Sequence, residues 1–203
     1  MNDLGPEQRR LIVGISGASG VVYGLRLLQL LRNAGVETHL VMSRTAELTF
    51  AYETTLKLAD VKAAAHTAHD IDDMAAPIAS GSFRTTGMIV APCSIRSMSE
   101  IATGVTTTLL TRAADVTLKE RRRLVLMVRE TPLHTGHLRT MAALSEIGAI
   151  IAPPVPAFYA KPHSVEDMVD HTVGRMLDLF EIDVGNIRRW GEDPDLRSRP
   201  SKR

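Results

Sequence analysis

Residues 11–31, LIVGISGASGVVYGLRLLQLL, constrain this chain more than any other stretch. Five apolar or small residues, Leu11 to Ile15, read as a buried strand. Glycines at 14, 17 and 20 then turn the chain, and Tyr23, Leu27, Leu30 and Leu31 recur at helical spacing. Strand, glycine turn and helix build a corner suited to phosphate. Small residues let the backbone approach a ligand, and a helix N-terminus offers unpaired N–H groups with a partial positive charge. Ser16 and Ser19 add hydroxyl donors. The spacing departs from two common signatures: a dinucleotide turn wants G-x-G-x-x-G, and a P-loop ends in Gly-Lys-Ser/Thr, whereas Val21 follows Gly20. Three glycines and two serines within seven residues exceed what a tight turn requires, so a ligand is expected there.

The rest of the chain repeats the alternation. After a stop at 33–35, residues 37–42 (ETHLVM) read as a second strand, and Ser43 as the N-cap of a helix to about Tyr52. A helix over 56–68 is weakly indicated, and 69–84 reads as a long loop of the kind that carries function. Residues 87–91 form a third strand ended by Pro92. Ser94 and Ser97 lead into a helix ending at Gly104, and another helix covers about 106–120. A fourth strand at 124–128, a helix at 136–147 and a fifth strand at 149–152 follow. Ser164 opens the last helix with a capping-box pattern. Five short apolar strands alternating with helices predict an α/β, doubly wound parallel sheet covered on both faces. A length of 203 residues suits one domain over 1–192, with a polar tail at 193–203. A net charge of +1 gives no reason to expect nucleic acid or an anionic membrane. No apolar run is long enough to span a bilayer, and the lone Cys93 excludes an internal disulfide framework and fits the cytoplasm.

In such a sheet ligands sit beyond the carboxyl ends of the strands. Those ends carry Ser16 to Gly20, Ser43-Arg44, Pro92-Cys93-Ser94, Arg129-Glu130 and the proline-rich segment with Tyr159. An NAD site places an acidic residue after the second strand, where this chain has Ser43 and Arg44. That argues against NAD and leaves NADP, whose extra phosphate an Arg could meet, and FMN, which has no second ribose. Arg129-Glu130 can form an ion pair, or can divide labour, the Arg holding an anion and the Glu moving a proton. His66/His69 and His134/His137 have H-x-x-H spacing but no obvious third ligand, so no metal is expected. Cys93 has no nearby His in sequence and reads as a buried small apolar group.

Taken together, these motifs resemble the flavin prenyltransferases of the UbiX type, including the small subunits associated with hydroxyarylic acid decarboxylases. The resemblance runs from Leu11 to about Glu192. It rests on GISGASG (14–20), Tyr52-Glu53-Thr54, ASGSFRTTGMIVAPCS (79–94), RAADVTLKERR (112–122), Arg129-Glu130, Phe158-Tyr159, SVEDMVD (164–170), Arg175 and Arg189-Trp190-Gly191. It implies a flavodoxin-like sheet and a trimer-based homo-oligomer, a dodecamer, with flavin sites at subunit interfaces. The implied reaction moves a dimethylallyl group from dimethylallyl phosphate to N5 and C6 of reduced FMN, without a metal. Its product, prenylated FMN, serves a UbiD-type decarboxylase. By position the resemblance makes Ser16, Gly17, Ala18, Ser43, Ser94, Ile95, Arg96, Ser97 and Arg129 FMN contacts. Tyr159 and Arg175 become ligands of the substrate phosphate with Lys119 as a further cation, Glu130 the acid/base, Ser19 and Glu53 its polar support, and Trp190 an aromatic wall. This chain differs from the usual pattern in having Ser16 for Thr, Thr107 and Thr108 for Asn, Val128 for Pro and Thr140 for Asn. Three other readings share the frame: a non-catalytic FMN-binding accessory subunit, an NADP-dependent reductase, and a decarboxylase that uses flavin directly.

Overall fold

The computed structural model describes residues 9–185 and 187–192, so the tail expected at 193–203 lies outside the described residues. The elements in chain order are β1 (Arg10–Ile15), α1 (Val21–Asn33), β2 (Glu37–Met42), α2 (Arg44–Glu53), α3 (Leu58–Ala64), β3 (Thr67–His69) and β4 (Gly87–Cys93). They continue with α4 (Ile95–Thr103), α5 (Leu109–Lys119), β5 (Arg123–Val128), α6 (Thr135–Glu146), β6 (Ala149–Ile151) and α7 (Val165–Asp178). The chain falls into two compact units, Met1–Pro153 and Pro154–Arg203. The sheet lies wholly in the first.

The sheet is parallel, with six strands in the order β3-β2-β1-β4-β5-β6. This is the doubly wound order; without the edge strand β3 it is the flavodoxin-like one, and in both the direction of winding reverses between β1 and β4. One more strand is present than the sequence indicates. The addition, β3, is three residues long and mostly exposed, so it carries no apolar run to betray it. The third predicted strand also extends further, through Pro92 to Cys93. A proline is tolerated there because the β4–β5 register shifts between Val90 and Cys93, which removes the need for a ladder N–H.

Strand residues alternate between two packed faces. Ile12, Met88, Val90, Leu124 and Leu126 bury against Met98, Ile101, Leu110, Ala113 and Ala114 of α4 and α5. The opposite face meets α1, whose Leu27, Leu28 and Leu31 are fully buried, each contributing about 2 kcal/mol of apolar burial. Gly24 sets how near α1 can come: a Cβ there would lie 2.5 Å from the Ala91 carbonyl oxygen and 2.6 Å from Ile15 Cδ1. Substitution at Gly24 would push α1 off the strands that carry the site.

Candidate active site

The anion corner foreseen at the start of α1 is already filled. Gly20 caps α1 with φ 103°, and its N–H donates to both carboxylate oxygens of Glu53, at 2.9 and 3.1 Å. The Val21 N–H donates to Glu53 Oε2 at 3.0 Å. A carboxylate from the end of α2 therefore meets the partial charge of the α1 N-terminus. The free anion cradle lies one and two connections further on, where α2 and α4 begin.

Both of those helices start at the carboxyl ends of their strands with a capping serine. Ser43 Oγ accepts the Ala46 N–H at 3.0 Å, and Ser94 Oγ accepts the Ser97 N–H at 3.3 Å. The first-turn amides at Arg44, Thr45, Ile95 and Arg96 have no acceptor within their own helix. These residues line one cavity of about 490 Å³ together with Gly17, Ile71, Asp72, Ser97, Glu100, Thr108, Leu110 and Glu130. That volume falls within the range of about 300–1,000 Å³ usual for small-molecule sites. Gly17 is needed for packing as well as access, since a Cβ there would come 2.5 Å from Thr45 Cβ. Two helix N-termini, several hydroxyls and a glycine between them suit a phosphate monoester joined to a polyol, as in FMN.

Of the FMN contacts expected from the resemblance, Gly17, Ser43, Ser94, Ile95, Arg96 and Ser97 come together in this cavity. Ser16 does not line it: its side chain is fully buried beneath the turn. Ala18 folds back, its N–H donating to the Ser16 carbonyl at 2.8 Å, and Ser19 is exposed in the same turn. Arg129 is fixed by its N–H to the Cys93 carbonyl at 3.0 Å. Its charge reaches Tyr23, whose phenol is raised by burial with Arg129 acting in the opposite direction.

Glu130 is exposed at the cavity wall, and its Oε1 accepts the Thr131 N–H at 3.0 Å. Arg44, which the NADP reading needs for an extra phosphate, is paired with Asp72 across the same cavity. Asp72, Thr108 and Glu100 were not expected in the site. Asp72 could have been foreseen from the long loop that carries it, and Thr108 from its place at the start of α5, where it forms a capping box with Thr111.

Lys119 sits elsewhere. It ends α5, pairs with Glu120 and is followed directly by the turn into β5, so it belongs to the amino-terminal edge of the sheet. An 11-residue helix spans about 16 Å, so Lys119 cannot reach the cavity that Thr108 and Leu110 line in the same chain.

The second unit holds Tyr159, Arg175 and Trp190. The Tyr159 hydroxyl lies 3.3 Å from His171 Nε2, and its ring meets Trp190 edge-on at 5.5 Å between centroids. Arg175 donates to Asp178 Oδ2 at 2.6 Å, and Arg189 grips both oxygens of Asp178 at 2.7 Å. The Arg189 guanidinium, aided by Arg175, holds the Asp178 carboxyl below the usual range. A cavity of this unit, about 690 Å³, is lined by His171 and Arg189 with Lys161, His163, Asp167 and Arg188, but not by Tyr159, Arg175 or Trp190.

The two H-x-x-H pairs differ in arrangement. His66 Nδ1 accepts the Thr38 N–H at 3.1 Å, while His69 Nε2 lies 3.0 Å from His39 Nδ1. His134 and His137 stack with centroids 3.6 Å apart, and His134 Nδ1 caps α6. Burial pushes the Cys93 thiol up to about 12, which removes it as a nucleophile at neutral pH.

Known proteins resemble the chain over most of its length. The Flavoprotein family model matches residues 4–177. Flavin prenyltransferase UbiX of Escherichia coli K12 is 59% identical over 185 residues, covering 90% of this chain and 98% of that protein. The protein of the same name from Thauera aromatica is 55% identical over 181 residues, covering 89% and 93%. Among solved structures, AnUbiX in complex with FMN and dimethylallyl pyrophosphate superposes with a TM-score of 0.89 at 54% identity, covering 90% of this chain and 97% of that one. A dodecameric FMN-dependent UbiX-like decarboxylase from Escherichia coli O157:H7 gives 0.87 at 51% identity, covering 89% and 98%. With its doubly wound sheet, its cradle of two helix N-termini and these likenesses over nearly its whole length, the chain belongs to the UbiX flavin prenyltransferases of the Flavoprotein family.

Proposed function

We propose that the protein transfers a dimethylallyl group from dimethylallyl phosphate to N5 and C6 of reduced FMN, and that a UbiD-type decarboxylase takes up the prenylated FMN. One observation carries this reading: a single cavity joins the α2 and α4 N-termini to the Glu130 carboxylate. A site that only held flavin would have no task for that carboxylate, which disfavours the accessory-subunit reading. The likeness to a relative solved with FMN disfavours the NADP reading.

Reduced flavin, when bound, supplies the electron-rich N5 and C6. The protein's own part is to bind, orient and move protons. Ser43, Ser94 to Ser97 and the neighbouring helix N-termini hold the phosphate and ribityl end, with Gly17 giving close access. Arg129 adds a cation near the turn. As the carbon–oxygen bond of the donor breaks, its electrons leave on phosphate, and Glu130 is placed to protonate that leaving group. Closing the ring needs a proton on the prenyl double bond, which the departed phosphate can supply, and the same carboxylate can then accept the proton that C6 gives up as its carbon bond forms. As the resemblance implies, Tyr159 and Arg175 are assigned to the departing phosphate and Trp190 to the allyl group, while Glu53 holds the turn that carries Ser19 through the Gly20 and Val21 N–H groups. Lys119 fits this scheme only from another copy of the chain, consistent with an oligomer like the dodecameric relative.

The test is anaerobic incubation with reduced FMN and dimethylallyl phosphate, with the pyrophosphate in a parallel arm, followed by flavin mass measurement. The expected product is heavier by one dimethylallyl unit. Bound FMN whose mass stays unchanged with either donor would refute the reading. Carbon dioxide release from an aromatic acid by this protein alone would favour direct decarboxylation instead.

A further inference from the structure

The reversal of winding between β1 and β4 opens a crevice at the end of the sheet, and in this protein one side chain bridges it. Ser16, fully buried, donates its hydroxyl to the Pro92 carbonyl at 3.0 Å and accepts the Ser94 N–H at 2.7 Å. The Ser16 N–H also donates to Pro92 O, at 3.1 Å. The Pro92 oxygen would therefore keep a partner if the hydroxyl were removed, but among the described residues the Ser94 N–H would not. Ser94 is the N-cap of α4, and its own hydroxyl is committed to Ser97, the N–H of which it accepts and the Oγ of which lies 3.2 Å away. So Ser16 fixes the residue that starts α4, and α4 starts in the cavity wall.

We infer that Ser16 is a positioning residue rather than a flavin ligand: its buried hydroxyl sets the α4 N-terminus against the glycine turn and, through it, the phosphate end of bound FMN. This rests on the FMN reading given above. Loss of the hydroxyl frees Ser94, lets the first turn of α4 move, and degrades the alignment of its N–H groups with a phosphate monoester. The effect falls on the phosphate and spares the ring system, which separates it from a general loss of folding.

The experiment titrates the full-length apo-protein with FMN and, separately, with riboflavin, which lacks the phosphate, following quenching of flavin fluorescence. Ser16→Ala is expected to bind FMN about tenfold more weakly and riboflavin within twofold of the original protein, at the scale of one unsatisfied buried N–H. Ser16→Thr, which keeps the hydroxyl, is expected to restore FMN affinity. If Ser16→Ala does not fold, Ser16→Cys read against Ser16→Thr makes the same comparison, the thiol being the weaker partner for Ser94. Unchanged FMN affinity in the Ala or Cys variant, or equal loss for both flavins, overturns the inference while leaving the FMN reading intact. An original protein that binds FMN no better than riboflavin removes the FMN reading, and this inference with it.

Discussion

Glu53 shows how one side chain relocates a binding function. The glycine turn and α1 have the local chemistry of an anion site, yet the Glu53 carboxylate already accepts the Gly20 and Val21 N–H groups. No reading of residues 11–31 alone could reveal this, because the partner arrives 32 or 33 residues later. Glu130 is the opposite case. It stands in the cavity wall and, among the described residues, has only the adjacent Thr131 N–H on its carboxylate, leaving acceptor capacity for a substrate proton. Glu130→Gln is therefore expected to bind FMN normally and to lose prenyl transfer by about 10²–10⁴-fold, the usual span for removal of a general acid/base. Rates near those of the original protein would take Glu130 out of this role. Cys93 yields a simpler expectation. Its thiol, buried and pushed up to about 12, should not react with an aromatic disulfide reagent at pH 8 in the native protein, and should titrate as one thiol after denaturation.

At the scale of elements, the sequence showed those strands that have apolar runs and the helices that have capping serines. Ser43, Ser94 and Ser164 cap α2, α4 and α7 as their spacing implies. The edge strand β3 was illegible because its three residues, Thr-Ala-His, are held by polar pairing instead of burial. Its His69 meets the buried His39, which also contacts Glu37 at 3.0 Å, and Arg10 completes the row by pairing with Glu37 at 2.8 Å. Burial holds both imidazoles below their ordinary range, His39 against the pull of Glu37 and with added repulsion from Arg10 and His66, His69 with repulsion from His39 and a counter-effect from Asp73. The folded state thus binds protons less readily than the unfolded chain, so stability is greatest above the unfolded histidine pKa of about 6.5 and falls as pH drops through it. Amide hydrogen exchange across residues 67–69 should accelerate, relative to β1, between pH 7.5 and 5.5 after correction for the intrinsic rate. His39→Gln should flatten that dependence. Equal pH dependence in the variant would assign the effect to other groups.

For the whole molecule, topology decides which expected site residues can act together in one chain. Strand-end logic located Gly17, Ser43, Ser94 and Glu130, because every strand of a parallel sheet delivers its carboxyl end to the same side. The same logic excludes Lys119 from that side, since a helix returning to the next parallel strand must end at the opposite edge. Its assignment came from motif likeness, which is blind to direction along the fold. The oligomer proposed above would resolve the conflict, and the surface offers a place for one. Helix α6 buries only Leu144 among its 12 residues and leaves Leu138 53% exposed, and Leu133 just before the helix is exposed too. A helix so poorly covered by its own chain gains little from folding alone and can gain from a neighbour. If this face joins copies of the chain, Leu138→Glu should give smaller species than the original protein in light scattering at micromolar concentration. Far-UV circular dichroism should be retained, because Leu138 adds little to the core. An unchanged assembly mass would show that this face of α6 remains in solvent and that chains meet elsewhere. If Lys119 acts across chains, dissociation should also lower prenyl transfer more than it lowers FMN affinity, because the residues proposed to hold FMN line a cavity of one chain whereas Lys119 would come from another.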